Sequence, residues 1–182
     1  FLSAGEEGHY FPDTYLVPLK EGGAATAIRM FSRFEEKFSL YYPKFLKANI
    51  KNDTALKIAS LIERERGSEA DMPLIAGIIW NRLEIGMRLE LDATLQYARG
   101  KRNGTWWAPA SARDKFLNSP YNTYRISGLP PTPISNPGAK AIEAVLYPSQ
   151  TNCLFYLHDG QKQIHCAVTY AEHKSNINLY LR

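Results

Sequence analysis

Acidic side chains set where a helix should be dry are the first candidates for acid–base chemistry, and Glu65 is such a residue. It closes the run DTALKIASLIERERG, residues 53–67. Asp53 suits a helix N-cap, Gly67 suits a stop, and neither Gly nor Pro interrupts, so a helix of about three to four turns is expected. At about 100° per residue, Ala55, Ile58, Ala59 and Ile62 form one stripe, which Leu61 widens. Glu65 follows Ile58 by seven residues, Leu61 by four and Ile62 by three, which puts its carboxyl inside the apolar arc. Glu63 falls toward the other margin, near Leu56 and Ala59. Burial and the negative end of the helix macrodipole both favour a protonated Glu65, the form a general acid needs, while Arg64 and Arg66 oppose them. A structural ion pair that ends the helix is the competing reading.

Other groups able to do chemistry are more ambiguous. Glu6 and Glu7, in GEEGHYFPDTYLVP, are either partners for a second carboxylate or simply solvated. Asp92 reads first as the cap of a short helix, ATLQYARG, ended by Gly100. Trp106 and Trp107 sit in a loop from Lys101 to Arg113, where indoles either stack on ligand faces, sugars included, or cover a core. Cys153 and Cys166 are the only cysteines, and no CxxC pair points to a metal. They flank CLFYLHDGQKQIHC, a hairpin with Asp159-Gly160 as a two-residue turn. That register sets the cysteines face to face, either as a disulfide in an oxidising compartment or as two buried thiols.

Several elements must position these groups. A short strand is expected at Tyr15 to Val17. After Gly22 and Gly23, ATAIRMFSRFEEKFSLYY has helical spacing, with Ile28, Phe31, Phe34 and Phe38 as core. Asp71, Met72 and Pro73 start a helix over LIAGIIWNRLEIG that stops at Gly86; it is apolar on more than one side and suits packing against the Glu65 helix. SARDKFL makes a helical turn or two, and SPYNTYRISGLPPTPISNPG a strand followed by a rigid Pro-rich turn. Asn136 and Pro137 open a helix that Pro148 closes. LFYLHD and QIHCAVTY alternate as strands, and AEHKSNINLYLR is a polar helix. The fold class is α+β: packed helices carry Glu65 at the edge of a groove formed with a small antiparallel sheet.

Composition narrows the classes. Hydrophobic residues at 45% and charged ones at 22% fit a soluble globular domain, and no apolar run nears the roughly 20 residues that cross a bilayer. The net charge of +4 admits an anionic partner, but Lys and Arg are scattered and no nucleic-acid motif is present, so none is expected. The chain opens on Phe1, not Met, and reads as a fragment, one domain over residues 1–182.

In chain order, FPDTY, ASLIERERG, PLIAGIIWNRLEIGMRLELDATLQYARG, SPYNTYRISGLPPTPISNPG, the following helix and hairpin, and AEHKSN resemble the catalytic domain of the endolytic murein transglycosylases of the MltG (YceG-like) family. The family motif is glutamate, any residue, glutamate, then usually a small hydroxyl residue, and its second glutamate is catalytic; the match is Glu65. The sequence departs from the pattern at Arg66, in place of the hydroxyl, at Ala93, where proline follows the aspartate, at CAV after His165, and in the TWW loop. The resemblance implies cleavage of the N-acetylmuramic acid to N-acetylglucosamine bond of peptidoglycan without water, leaving a 1,6-anhydro end, with one carboxyl as acid and then base. Glu7, Asp13 and Asp92 remain candidates for a second carboxylate. Tyr121, Asn122, Thr123 and Tyr124 match the family's groove-lining strand: Asn122 would bond an acetamido group, and the tyrosines would either stack on sugars or fill the core. No cofactor or metal is implied. The implied partners are peptidoglycan glycan strands and cell-wall synthases. The implied setting is the extracytoplasmic face of the cytoplasmic membrane, through a single-pass N-terminal anchor and a small LysM-like domain outside this chain. A peptidoglycan-binding or scaffolding module without turnover and a hydrolytic muramidase are the alternatives.

Overall fold

A helix buried along most of its length must lie near the centre of its fold, and the helix carrying Glu65 is that element. The computed structural model describes residues 6–181. In order it has α1 (Gly23–Ser39), α2 (Tyr42–Lys47), α3 (Asn52–Glu65), α4 (Met72–Glu84), α5 (Asp92–Arg99), α6 (Ala139–Leu146), β1 (Phe155–His158), β2 (Ile164–Ala167) and α7 (Tyr170–Tyr180), with 3₁₀ turns at Glu69–Asp71 and Ala112–Phe116. The class is α+β. Along α3, Ala55, Leu56, Ile58, Ala59, Leu61 and Ile62 are all buried, and α6 and α4 pack against them. Ile58, Leu61 and Ile62 have no exposed surface, and burying each such side chain contributes about 1.5–3 kcal/mol. Buried Ser60 ties the Pro-rich turn over this core: its hydroxyl accepts from Ile134 N, and its carbonyl accepts from the Ser135 hydroxyl.

Two glycines let neighbouring backbone come close. At Gly77 of α4 a Cβ would lie 2.4 Å from the Ser149 carbonyl oxygen, and the same segment is fastened by Ser149 N donating to Pro73 O. At Gly67, just past α3, a Cβ would lie 2.8 Å from His158 Cδ2 and 3.0 Å from the Lys162 carbonyl oxygen. The hairpin therefore rests directly on the chain leaving α3.

Local chemistry moves several boundaries from their expected places. Lys51 is the N-cap of α3, and Asp53 lies inside the first turn, paired with Lys57 at 2.7 Å. Arg66, with extended backbone, ends the helix before Gly67 is reached. Phe34 and Phe38 are buried on α1 but Ile28 is 59% exposed, because Ala27 takes the buried side of that turn. Tyr15 to Val17 forms no strand; Pro12 and Pro18 bracket it and it has no strand partner among the described residues. The Tyr15 hydroxyl bonds Phe11 O instead. Asn136 does not cap α6, whose N-cap is Gly138; its Oδ1 accepts from Gly8 N and Tyr10 N. Residues 121–126 form turns, not a strand.

The hairpin register also differs. Tyr156 faces Cys166 and His158 faces Ile164, so the connection runs over residues 159–163 and not through two residues. Asp159 makes this longer loop: its Oδ1 accepts from Gln161 N and Gln163 N, and its Oδ2 contacts His165 Nε2 at 2.9 Å. Cys153 and Cys166 are joined as a disulfide with Cα atoms 5.9 Å apart, which ties the start of β1 to β2 across a diagonal.

Candidate active site

At the end of α3 an open cleft of about 490 Å³ separates the helices from the hairpin and α7, with Glu65, Arg82, Asp92, Tyr124, Tyr156 and His158 among its lining residues. Glu65 stands at its base, partly buried. Both carboxyl oxygens are held: Tyr156 donates its hydroxyl to Oε2 at 2.8 Å, and Ala93 donates its backbone N–H to Oε1 at 3.3 Å. Ala93 lies in the first turn of α5, so the carboxyl touches the positive end of that helix dipole. A proline at 93 would have no N–H to give.

Burial raises the Glu65 pKa. The Tyr156 and Ala93 hydrogen bonds pull it back, Asp92 pushes it up, His158 pulls it down, and the net direction is upward. The ion-pair reading of Glu65 does not hold. Among the described residues it makes no salt bridge: Arg66 pairs with Glu63 at 2.8 Å, and the Arg64 guanidinium lies 3.7 Å from the Trp107 ring centroid. The group is an acid in a low-dielectric setting that still opens on solvent-sized space, which suits proton donation and recovery.

The walls are fixed by hydrogen bonds of their own. Arg82 of α4 is buried; its Nε donates to Leu154 O at 2.6 Å, and its Nη1 donates to Leu89 O. One side chain thus joins the approach to β1 with the segment leading to α5. The Tyr124 hydroxyl donates to Asp92 Oδ1 at 2.7 Å, and burial, followed by this bond, drives the Tyr124 pKa far up. Asp92 is therefore a partner for Tyr124, and it does not cap α5, whose N-cap is Leu91. His158 contacts Asp71 Oδ2 at 3.3 Å, and the same oxygen accepts from Gly67 N and Ser68 N, fastening the hairpin to the exit of α3.

Of the four residues in the YNTY segment, only Tyr124 lines the cleft. Asn122 and Thr123 have no exposed surface. The Asn122 amide donates to Lys115 O and Leu117 O, and its Oδ1 accepts from Tyr124 N. The Thr123 hydroxyl accepts from Leu91 N and bonds the Thr94 hydroxyl. Tyr121 packs on Tyr97 and bonds the Thr132 hydroxyl. These three hold the wall up from behind. Glu7 bonds Asn136, and Asp13 pairs with Arg33; neither lines the cleft, whereas Asp92 does. Trp107 covers Arg64 and Tyr97, while Trp106 is 49% exposed. Among the described residues no three His, Cys, Asp or Glu side chains converge on a metal-sized site.

Sequence reasoning missed Tyr156, His158 and Arg82. Residues 156 and 158 share a strand face by period two, so the hairpin pattern carried a signal, but only the tertiary contacts show that this face meets Glu65.

Taken together, fold and site define a helical domain with one dry carboxyl at the floor of a cleft closed by a β-hairpin. The YceG-like family model matches residues 2–179, and the chain belongs to the YceG-like family. It is similar to the endolytic murein transglycosylase of Bacillus subtilis strain 168, 32% identical over 176 residues, covering 96% of this chain and 48% of that protein. It is also similar to the endolytic murein transglycosylase of Streptococcus pneumoniae strain R6, 31% identical over 173 residues, covering 94% of this chain and 31% of that protein. A crystal structure of a YceG-like protein from Listeria monocytogenes superposes with a TM-score of 0.84 at 30% identity, covering 92% of this chain and 54% of that one. The chain thus spans half or less of the length of these curated relatives.

Proposed function

We propose that this domain cleaves peptidoglycan glycan strands endolytically and without water, at the bond between N-acetylmuramic acid and N-acetylglucosamine. The observation that carries the reading is Glu65: a carboxyl with a raised pKa, bonded at both oxygens and in no salt bridge among the described residues, at the floor of an open cleft. The relatives' activity, murein transglycosylation, is the chemistry such a group can run alone.

In the first step the Glu65 O–H bond breaks, the proton moves to the glycosidic oxygen, and the C1–O bond opens with the leaving sugar departing as an alcohol. Positive charge that develops at C1 is captured by the C6 hydroxyl of the same muramic acid. The Glu65 carboxylate takes the C6 proton as the C6-oxygen to C1 bond closes. The acid is regenerated, no water is consumed, and the product is a 1,6-anhydro sugar. Lys115 on the cleft wall suits the lactyl and peptide carboxylates of murein.

A hydrolytic muramidase is the second reading, because Asp92 shares the cleft and could serve as the other carboxylate. Its bond from Tyr124 weighs against that role, since it occupies one of the oxygens a water-activating base would use. The setting we propose is extracytoplasmic, with the full protein anchored in the cytoplasmic membrane and working near cell-wall synthases. The Cys153–Cys166 disulfide favours an oxidising compartment, and no helix among the described residues is long and apolar enough to cross a membrane.

The test is Glu65→Gln. It should abolish release of anhydro-muropeptides from purified sacculi while circular dichroism and sacculus binding stay as in the parent chain. A variant that still digests murein would assign the acid elsewhere.

A further inference from the structure

A carboxyl that must act first as acid and then as base needs its charged form supported as well as its neutral one. On this chain that support comes from a residue outside the helix. We propose that Tyr156 is the positioning residue of the reaction's second half: its hydroxyl fixes the Glu65 carboxyl plane and stabilises the carboxylate that recovers the C6 proton. The proposal rests on Glu65 being the acid.

The geometry allocates the two oxygens. Tyr156 donates to Oε2 at 2.8 Å, a full-strength bond, whereas Ala93 N–H reaches Oε1 at 3.3 Å. The acidic proton therefore belongs on Oε1, where the weaker bond leaves a lone pair to carry it. After donation both bonds strengthen, because each then reaches a charged acceptor. Tyr156 keeps its own proton throughout: burial, followed by the nearby Glu65 charge, drives its pKa well above the ordinary phenol value. It is a permanent donor and not a second acid.

The hairpin is built to hold that donor in place. Tyr156 sits opposite Cys166, which the disulfide binds to Cys153. His158, two residues on, is anchored to Asp71 at the exit of α3. Leu154 O, just before β1, receives the Arg82 guanidinium.

Other groups also act on Glu65: Asp92 from α5 and His158 from β1, Arg64 from α3, Arg82 from α4, and Tyr124 from the turn. All are unchanged in Tyr156→Phe, which keeps the ring and removes only the hydroxyl.

The test follows the Glu65 carboxyl by carbon-13 NMR titration in the full chain, parent against Tyr156→Phe, alongside the pH–rate profile on purified glycan. The Glu65 pKa should rise by about one unit, the shift expected when a hydrogen bond to a charged group is lost. The alkaline limb should move up with it, and kcat should fall about tenfold with KM little changed. A purely structural role would loosen the cleft, admit water and move the pKa down toward the ordinary value; that result, or no shift, overturns the proposal. The titration needs no turnover, and Glu65→Gln run in parallel isolates the other failure: if it remains active, the assignment of the acid fails, whatever Tyr156 does.

Discussion

Asn122→Ala separates a residue that holds the cleft from one that reads the substrate. The amide donates to Lys115 O at 3.0 Å and Leu117 O at 2.8 Å, and accepts from Tyr124 N at 3.0 Å, all without exposed surface. Alanine removes three bonds and leaves two carbonyls and one N–H without this partner. At about 1 kcal/mol for each bond the loss is about 3 kcal/mol. For a chain of this size each kcal/mol corresponds to about 2–4 °C, so Tm should fall by about 6–12 °C. The assay is thermal unfolding by circular dichroism, paired with murein turnover at a temperature where the variant is fully folded. There, KM should stay within about twofold of the parent, because no glycan contact has been removed. A Tm within about 2 °C of the parent, together with a large rise in KM, would refute the reasoning and show that the amide spends its hydrogen bonds on sugar.

Two further outcomes follow from the same structure. Replacing Cys153 and Cys166 by serine opens a loop with a sequence separation of 13 residues, which should cost about 2–3 kcal/mol and lower Tm by about 5–10 °C; reductant should destabilise the parent similarly and leave the double variant unmoved in the same melt. Glu65→Gln should also change how stability depends on pH. The folded Glu65 pKa lies above its unfolded value, so the stabilisation from a neutral carboxyl is fully present below the ordinary glutamate range and is lost as pH rises through the raised value. The Tm gain of Glu65→Gln over the parent should therefore be larger at about pH 8 than at about pH 4, and an equal or inverted gain would contradict the burial argument.

Local periodicity made the helices legible. The α3 stripe, the Pro73 start of α4 and the placement of Glu65 on the buried arc all depend on the spacing of residues a turn or two apart, which the sequence carries directly. What it did not carry were choices made across long separations. Asn136 has cap chemistry but spends its Oδ1 on Gly8 and Tyr10. Asp92 likewise sits in the first turn of α5 and receives Tyr124 instead. The YNTY segment has strand-forming side chains but no neighbouring strand, so Asn122 organises it as turns. At the hairpin, Asp159-Gly160 matches a two-residue turn, yet the Asp159 carboxylate gathers two backbone N–H groups and lengthens the loop. Which face of β1 meets Glu65 is likewise set at long range, by the Tyr156 bond to Glu65 and the His158 contact with Asp71.

The account stands on one carboxyl that gives up a proton and takes one back with no water in between. The direct measurement is the mass of the new glycan ends released from purified sacculi by this chain. The mechanism predicts muramic acid ends lighter by one water than hydrolysed ones, and none from Glu65→Gln. Ends that carry the added water would contradict it and shift the chemistry to a second carboxylate, with Asp92 as the first to examine.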